Sequence, residues 1–303
     1  MSQAGRAPSL EVEVRPRWPY RLPRSSGGDG VLRSPRKGIA CRLLHVDGQP
    51  VVVHAWEPGK DRVVVRASGA DRDRLEVAVE RMRFAIGVDE DFSEFRERFK
   101  RDPLVGPAIS KRPWHRPRRR PWPWEALAWA VTSQLIEAFR AAAIQRRIVR
   151  RWGPRREMED GVLRDVPSAA LIAGRAPAEL ASMDLAASRA LALIRCAKEV
   201  SAERVDLSSP SADLRLRRIS GIGPWTLQCL GFGGRGDPDS LPAGDLAYVK
   251  LVGRLAGLGR RATVPEVEEF FAPYEPFRGL AGSFALVGWH KAIKKGPPLR
   301  IAA

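Results

Sequence analysis

LRLRRISGIGPWTLQCLGFGGRGDPDSLPAGDLAYVKLVGRL, residues 214–255, carries the two turns on which the reading of this chain rests. The first is a glycine hairpin, Ile219-Ser220-Gly221-Ile222-Gly223-Pro224-Trp225-Thr226, between two helix-like segments. The second is a Pro242-Ala243-Gly244-Asp245 turn that leads at once into another helix. Gly221 and Gly223 can take positive φ, which a tight turn between helices often demands, and they leave backbone N–H groups open to close approach. Pro224 suits the first turn of the next helix, where its missing N–H costs little, and the free N–H groups there attract an anion. Arg215, Arg217 and Arg218 crowd the approach. Two readings stand for the hairpin, a phosphate grip or a packed corner. Two stand for Asp245, a carboxylate within reach of a sugar or a plain N-cap for the helix from Leu246. Asp237 and Asp239 read as ordinary turn acids.

Working outward, the chain has 303 residues with 52 Lys+Arg against 35 Asp+Glu, a net charge of +17. Such an excess implies a polyanionic partner, DNA or RNA being the usual one. Most of it is arginine, which makes forked phosphate contacts that lysine cannot. The length suggests about two domains and an ample core. Cys41, Cys196 and Cys229 are scattered with no CxxC. That excludes an all-cysteine iron–sulfur site, which needs four thiolates, and argues against a disulfide framework, so a reducing cytoplasm is expected. No apolar run approaches about 18 residues, so no membrane span is expected, and the N-terminus lacks an apolar signal core. His45, His54, His115 and His290 lack metal-ligand spacing and read as surface or loop residues.

Residues 1–10 read as disordered. From Leu10 to about Val88 the pattern is β-rich at first. Strands are expected over Ile39–Val46, Val51–Trp56 and Arg62–Ala67, with an Asp47-Gly48 hairpin turn. Asp71–Ile86 is helical, with Leu75, Val79, Met82 and Ile86 on one face. The sum is a small α/β module over 1–88. Asp89–Lys100 reads as a helix that packs Phe92, Phe95 and Phe99 into a core. Between Gly106 and Trp124, five prolines and six basic residues forbid a continuous helix. This basic, proline-rich connection (106–124) either touches phosphate or is a solvated linker. The rest of 89–303 is helical almost to its end, and Thr263-Val264-Pro265-Glu266 is a plain helix start. The fold class expected is α+β: a small β-rich N-terminal module, then a mostly α-helical domain.

The two turns together resemble the helix-hairpin-helix/Gly-Pro-Asp superfamily of DNA glycosylases, in its alkylation-repair branch, 3-methyladenine DNA glycosylase II. Gly221, Ile222, Gly223, Trp225 and Thr226 match that family's G-I-G-x-W-T hairpin. Pro242, Gly244, Asp245 and Lys250 match its P-x-G-D-x-x-x-x-K turn. The joint match, in that order, is more specific than either half. Upstream, Trp124–Leu127 through Ser133-Gln134-Leu135, Val166–Leu171 and Ser188–Ile194 resemble further family helices. The resemblance covers the chain well from about Asp89 and only loosely before it.

The resemblance implies a DNA-bending enzyme that extrudes a damaged base from duplex DNA and hydrolyses its glycosidic bond. Asp245 would face the sugar and stabilise the positive charge that builds as the bond breaks, or orient the water. Gly221, Ile222, Gly223 and Thr226 would hold the DNA backbone, and the hairpin carbonyls a monovalent cation; no other cofactor and no catalytic metal are implied. Strand-cutting relatives carry a lysine where this chain has Trp225, so a monofunctional enzyme is expected. Trp225 would wall the base pocket; the alternative is a core tryptophan. Leu135 would fill the gap left by the flipped nucleotide. The alternative makes it the last core residue of the stripe Trp124, Leu127, Val131, Leu135. Cys229 stands where the family often has an aromatic residue. Leu286 stands where it has a tryptophan, so either Trp289 substitutes in the pocket or the pocket is built differently. A monomer acting on damaged double-stranded DNA is expected. The competing expectations are a non-catalytic helix-hairpin-helix DNA-binding protein and a glycosylase for another lesion.

Overall fold

A computed structural model describes residues 8–23, 28–33, 38–159 and 161–294. The chain begins with four strands, β1 (Ser9–Val14), β2 (Ile39–Val46), β3 (Gln49–Gly59) and β4 (Arg62–Ser68). They form one antiparallel sheet in the order β1-β4-β3-β2. β1 was not expected: Ser9 and Leu10 already pair with Ser68 and Ala67, while Met1–Ala7 of the segment read as disordered lie outside the described residues. Helix α1 (Arg72–Ile86) starts on an Asp71 cap, stops on a left-handed Gly87, and lays the expected Leu75, Val79, Met82 and Ile86 on the sheet.

The helical part follows as α2 (Ser93–Phe99), α3 (Gly106–Lys111), α4 (Pro123–Ser133) and α5 (Ala138–Trp152). Next come two short strands, β5 (Arg155–Met158) and β6 (Gly161–Arg164), then α6 (Ala169–Ala173), α7 (Pro177–Ala181) and α8 (Ala187–Ser201). The last are α9 (Ala212–Leu216), α10 (Pro224–Leu230), α11 (Leu246–Leu255), α12 (Val264–Phe271) and α13 (Arg278–Lys294). The β5–β6 hairpin corrects the expectation of unbroken helix there. Gly161, at φ 111°, follows a short run with no helical stripe.

Two apolar cores organise these helices. The first gathers α4, α5, α6, α8 and α10 around Leu127, Ile144, Leu193 and Leu230. The second gathers α2, α3, α11, α12 and α13 around Phe95, Leu251, Phe271 and Phe284, with the expected Phe92 and Phe99 in it. The glycine hairpin and the 242–245 turn both lie on the stretch between α9 and α11, where the chain passes from the first core to the second. Helix α4 is buried on every side from Glu125 to Thr132, as befits a helix that is apolar all round. Its one acid, Glu125, meets Arg42 of β2 and Arg120, and Arg120 also meets Asp29, which in turn accepts from the Trp129 indole N–H.

The basic connection turns three of its six cations inward. Arg116 donates to Gly87 O, Arg119 pairs with Glu90 and donates to Phe232 O, and Arg120 joins the Glu125 cluster. Lys111, Arg112 and Arg118 stay exposed. The histidines are less superficial than their spacing suggested. His45 and His54 sit half-buried on β2 and β3, and His45 Nδ1 meets Asp165 at 3.0 Å. His115 is in a loop but packs edge-on against Phe284 and shares a 2.7 Å hydrogen bond with Ser283. His290 lies outside the residues whose side chains are described.

Candidate active site

Helix α9 ends at Leu216 and the chain turns through Ser220 and Gly221 into α10. Gly221 has φ 91°, the left-handed region glycine tolerates, as expected. Gly223 does not need that freedom: its φ is −106° and its ψ −178°, ordinary extended backbone. A Cβ there would meet nothing within 4 Å, so its missing side chain serves only to keep the outer surface of the turn bare. Ile222 is buried in the first core and pins the turn from beneath.

Across the turn stands the end of α4. The helix stops at Ser133 and the chain breaks at Gln134, whose ψ of 133° ends the helical stripe. Leu135 therefore leaves the row of Trp124, Leu127 and Val131. Its φ is 56°, uncommon for a non-glycine residue, and its side chain is 102% exposed. The core reading of Leu135 is thereby excluded. Gln134 explains how this strained backbone is held. Its Nε2 donates to Gly221 O at 2.7 Å and to Thr226 Oγ1 at 2.8 Å. From behind, the Arg189 guanidinium donates to Thr132 O at 3.3 Å and to Gln134 O at 2.9 Å. Phe139, in the first turn of α5, is also well exposed on this side.

Asp245 closes the second turn. Its N–H donates to Pro242 O at 2.8 Å, and its Oδ1 accepts from Ala247 N at 2.8 Å, an N-cap on α11. The cap reading is thus correct as far as it goes. It uses one oxygen only: Oδ2 accepts no hydrogen bond from any described residue, and the side chain remains half-exposed. Around it, burial first and the Asp245 carboxylate second push the Cys229 thiol and the Tyr248 phenol well above their ordinary values. Both stay protonated. Trp225 joins the two turns. It is half-buried, and a Cβ on Gly244 would stand 3.7 Å from its ring, which places the Asp turn beside the indole. Its Nε1 is buried without a partner.

A continuous line of contacts results: Leu135 to Gln134, Gln134 to Gly221 and Thr226, and Trp225 to the Gly244–Asp245 turn. Trp289 is not brought to it. Its Nε1 donates to Leu104 O at 3.2 Å and its ring packs on the second core, as does Leu286. Gln134 and Arg189 are residues to which no role was assigned from the sequence. Their partners lie 55 to 92 positions away, so no local pattern could have shown them. At the hairpin, Ile219 O accepts one N–H, from Ile222, and Gly221 O accepts one, from Gln134. A carbonyl has two lone pairs, so each of these two oxygens keeps one that no described donor uses. No group of three or more His, Cys, Asp or Glu among the described residues could hold a metal ion.

No family model matches the chain. It is 27% identical over 205 residues to the DNA-3-methyladenine glycosylase of Bacillus subtilis, covering 64% of this chain and 66% of that protein. It is 25% identical over 265 residues to a probable bifunctional transcriptional activator/DNA repair enzyme AlkA of Mycobacterium tuberculosis, covering 87% of this chain and 53% of that one. The chain thus spans between half and two thirds of the length of the curated relatives it matches. Among solved structures, a 3-methyladenine DNA-glycosylase from Archaeoglobus fulgidus superposes with a TM-score of 0.77 at 20% identity, over 92% of this chain and 98% of that one. A Clostridium acetobutylicum 8-oxoguanine glycosylase/lyase bound to double-stranded DNA superposes at 0.66 and 14% identity, over 84% and 86%. Two enzymes of different named activity share this fold, so the fold alone does not fix the chemistry. In sequence the chain is thus similar to DNA-3-methyladenine glycosylases, and in fold to a 3-methyladenine DNA-glycosylase and an 8-oxoguanine glycosylase/lyase.

Proposed function

We propose that this protein is a DNA glycosylase that hydrolyses the N-glycosidic bond of alkylated bases in duplex DNA and leaves the strand uncut. The observation that carries the reading is the contact line itself. Gln134 ties the exposed Leu135 to the hairpin, and Trp225 ties the hairpin to the Asp245 turn. A surface that must hold a backbone, fill a vacated stack and face a sugar needs those three parts fixed together.

The hairpin, at Gly221, Ile222, Gly223 and Thr226, takes the phosphate backbone of the damaged strand. A monovalent cation held by the Ile219 and Gly221 carbonyls would add charge opposite that phosphate. Leu135, fully exposed and held left-handed, enters the helix as the nucleotide leaves it. Trp225 offers an indole face to the base; an alkylated base is often cationic, and an aromatic face attracts it. The bond between the base nitrogen and the anomeric carbon breaks with its electron pair going to the base, which departs neutral if it was cationic. Water supplies the oxygen that replaces it and loses a proton. Asp245, with Oδ2 unengaged, stabilises the positive sugar and directs the water. Trp225 has no amine to form a Schiff base, so the reaction ends at the abasic site. Trp289, whose indole N–H is taken by Leu104 O, is given no part in this pocket. The protein acts as a monomer in the cytoplasm, on the nucleoid; no helix among the described residues is long and apolar enough to cross a membrane.

A second reading has one observation in its favour. Asp245 caps α11, and a helix-hairpin-helix protein that only binds DNA would keep it for that alone. The test is base release from methylated duplex DNA, with the product assayed for strand breaks before and after alkali. Release with breaks only after alkali supports the proposal. Breaks before alkali overturn the monofunctional part, and DNA binding without release from any lesion leaves the binding module.

A further inference from the structure

Behind the hairpin lies a cleft of about 420 Å³, outside the contact line described above. Helix α8 forms one wall with Arg195, Lys198 and Glu199; the other side is Arg204, Arg215 and Arg218. Glu199 is the lone carboxylate, and it is already engaged by Arg204 at 3.2 Å and by Arg215. Those two arginines are thereby held in place across the cleft. Arg195, Lys198 and Arg218 have no carboxylate partner among the described residues, and all three are exposed. Like charges gathered around one anion repel, so a cleft of this composition is stable only while water or a polyanion screens it.

Its position says which polyanion. Gly221 of the hairpin lies against Ala192 of α8, where an added Cβ would come within 3.4 Å of the alanine methyl. Arg195 and Lys198 follow Ala192 by three and six residues on the same helix, roughly 4.5 and 9 Å further along its axis. Successive phosphates of one strand advance about 3.4 Å each along the duplex. Ile219, which begins the hairpin, also lines the cleft.

We propose that this cleft is a second backbone-binding site, which takes the phosphodiesters flanking the one held by the hairpin. The proposal rests on the DNA-binding part of the reading above and not on its chemistry. The ligand class is the phosphate backbone of a duplex long enough to run past the hairpin. Arginine forks at Arg204, Arg215 and Arg218 bind it bidentately, and Arg195 and Lys198 add charge from the helix wall. The hairpin fixes the lesion, and the cleft fixes the direction in which the strand leaves it.

The test is the Arg195→Ala/Lys198→Ala double variant, both changes being at exposed helical positions where alanine is well tolerated. Affinity for an abasic-analogue duplex is measured between 50 and 200 mM salt. One duplex has full arms, and two others are cut to a few base pairs on one side or the other of the lesion. Each phosphate contact contributes about 0.9 to the slope of log affinity against log salt. Loss of two contacts lowers the slope by about 1.8, so the fall in affinity between 50 and 200 mM shrinks about tenfold. The variant should show that change on the full duplex and match wild type on one of the shortened duplexes. An unchanged slope on the full duplex overturns the proposal, and so does an equal loss on all three, which would mean diffuse charge rather than a flank site. Thr226→Ala variants and base release by wild type report on the hairpin and the chemistry separately. If wild type releases no base but the double variant still loses slope on one flank, the cleft stands and the glycosylase reading falls.

Discussion

Asp245→Asn is the substitution that separates the two duties of this carboxylate. Its Oδ1 accepts the Ala247 N–H at 2.8 Å, and asparagine caps a helix about as well as aspartate. The fold should therefore be little disturbed. What disappears is the charge. A carboxylate about 4 Å from the forming sugar cation, in a half-exposed site with an effective dielectric near 20, contributes about 4 kcal/mol. That corresponds to a rate loss on the order of a thousandfold. Neighbours cannot substitute, because burial, the larger cause, still keeps Cys229 and Tyr248 protonated once the Asp245 charge is gone. The assay is single-turnover release of methylated base at saturating enzyme, with thermal unfolding and binding to an abasic-analogue duplex measured alongside. The expected result is release slowed about a thousandfold with Tm and DNA affinity close to wild type. If the variant releases base within tenfold of wild type, Asp245 is only a cap and the mechanism offered here is wrong.

Gln134→Ala removes two hydrogen bonds, to Gly221 O and Thr226 Oγ1, which together are worth about 1–3 kcal/mol. Affinity for an abasic-analogue duplex should fall about tenfold or more while undamaged duplex binds nearly as before; equal losses on both would refute the coupling. Arg42→Ala should cost about 3–5 kcal/mol of stability by leaving the fully buried Glu125 without one of its two cations, readable by denaturant unfolding; a cost under 1 kcal/mol would dismiss the cluster as a structural tie. His115 is held down to about 4 by burial first and then by Arg116 and Arg112. Its folded pKa lies below its unfolded value near 6.5, so its contribution is complete above pH 6.5 and lost as pH falls toward 4. That loss is on the order of 3 kcal/mol. His115→Asn should flatten the stability–pH curve in that window, and an unaltered curve would count against it.

Local signals in the sequence carried the helices, the Asp47-Gly48 turn, the positive φ of Gly221 and the cap at Thr263, whose capping box with Glu266 forms as expected. These depend on neighbours a few residues apart, which a linear reading sees. Leu135 shows where such a reading stops. The stripe Trp124, Leu127, Val131, Leu135 is true to helical spacing, yet the helix ends at Ser133, two residues short of Leu135, because Gln134 and Arg189 hold the chain in another direction. Trp289 misled for the same reason: a tryptophan near the right place in α13 is claimed by Leu104 from a distant loop. Strand β1 was hidden because Leu10, Val12 and Val14 are only half-covered by α1, and a short charged strand looks like a tail.

If Leu135 enters the base stack as proposed, the ion cluster around Glu125 gives the sheet a part in lesion recognition. Glu125 and Gln134 mark the two ends of α4, a rod some 16 Å long by its residue count, and Leu135 is mounted on its tip. Arg42 of β2 grips the root of that rod. A probe that must push into stacked bases feels a reaction force along its shaft. In this molecule the shaft is anchored in a separate layer of the protein, through charges that cannot shift without being stranded in the interior. On the proposed reading the N-terminal sheet is the foundation against which Leu135 would push, and a helical fragment made without it would keep the tip and lose the footing.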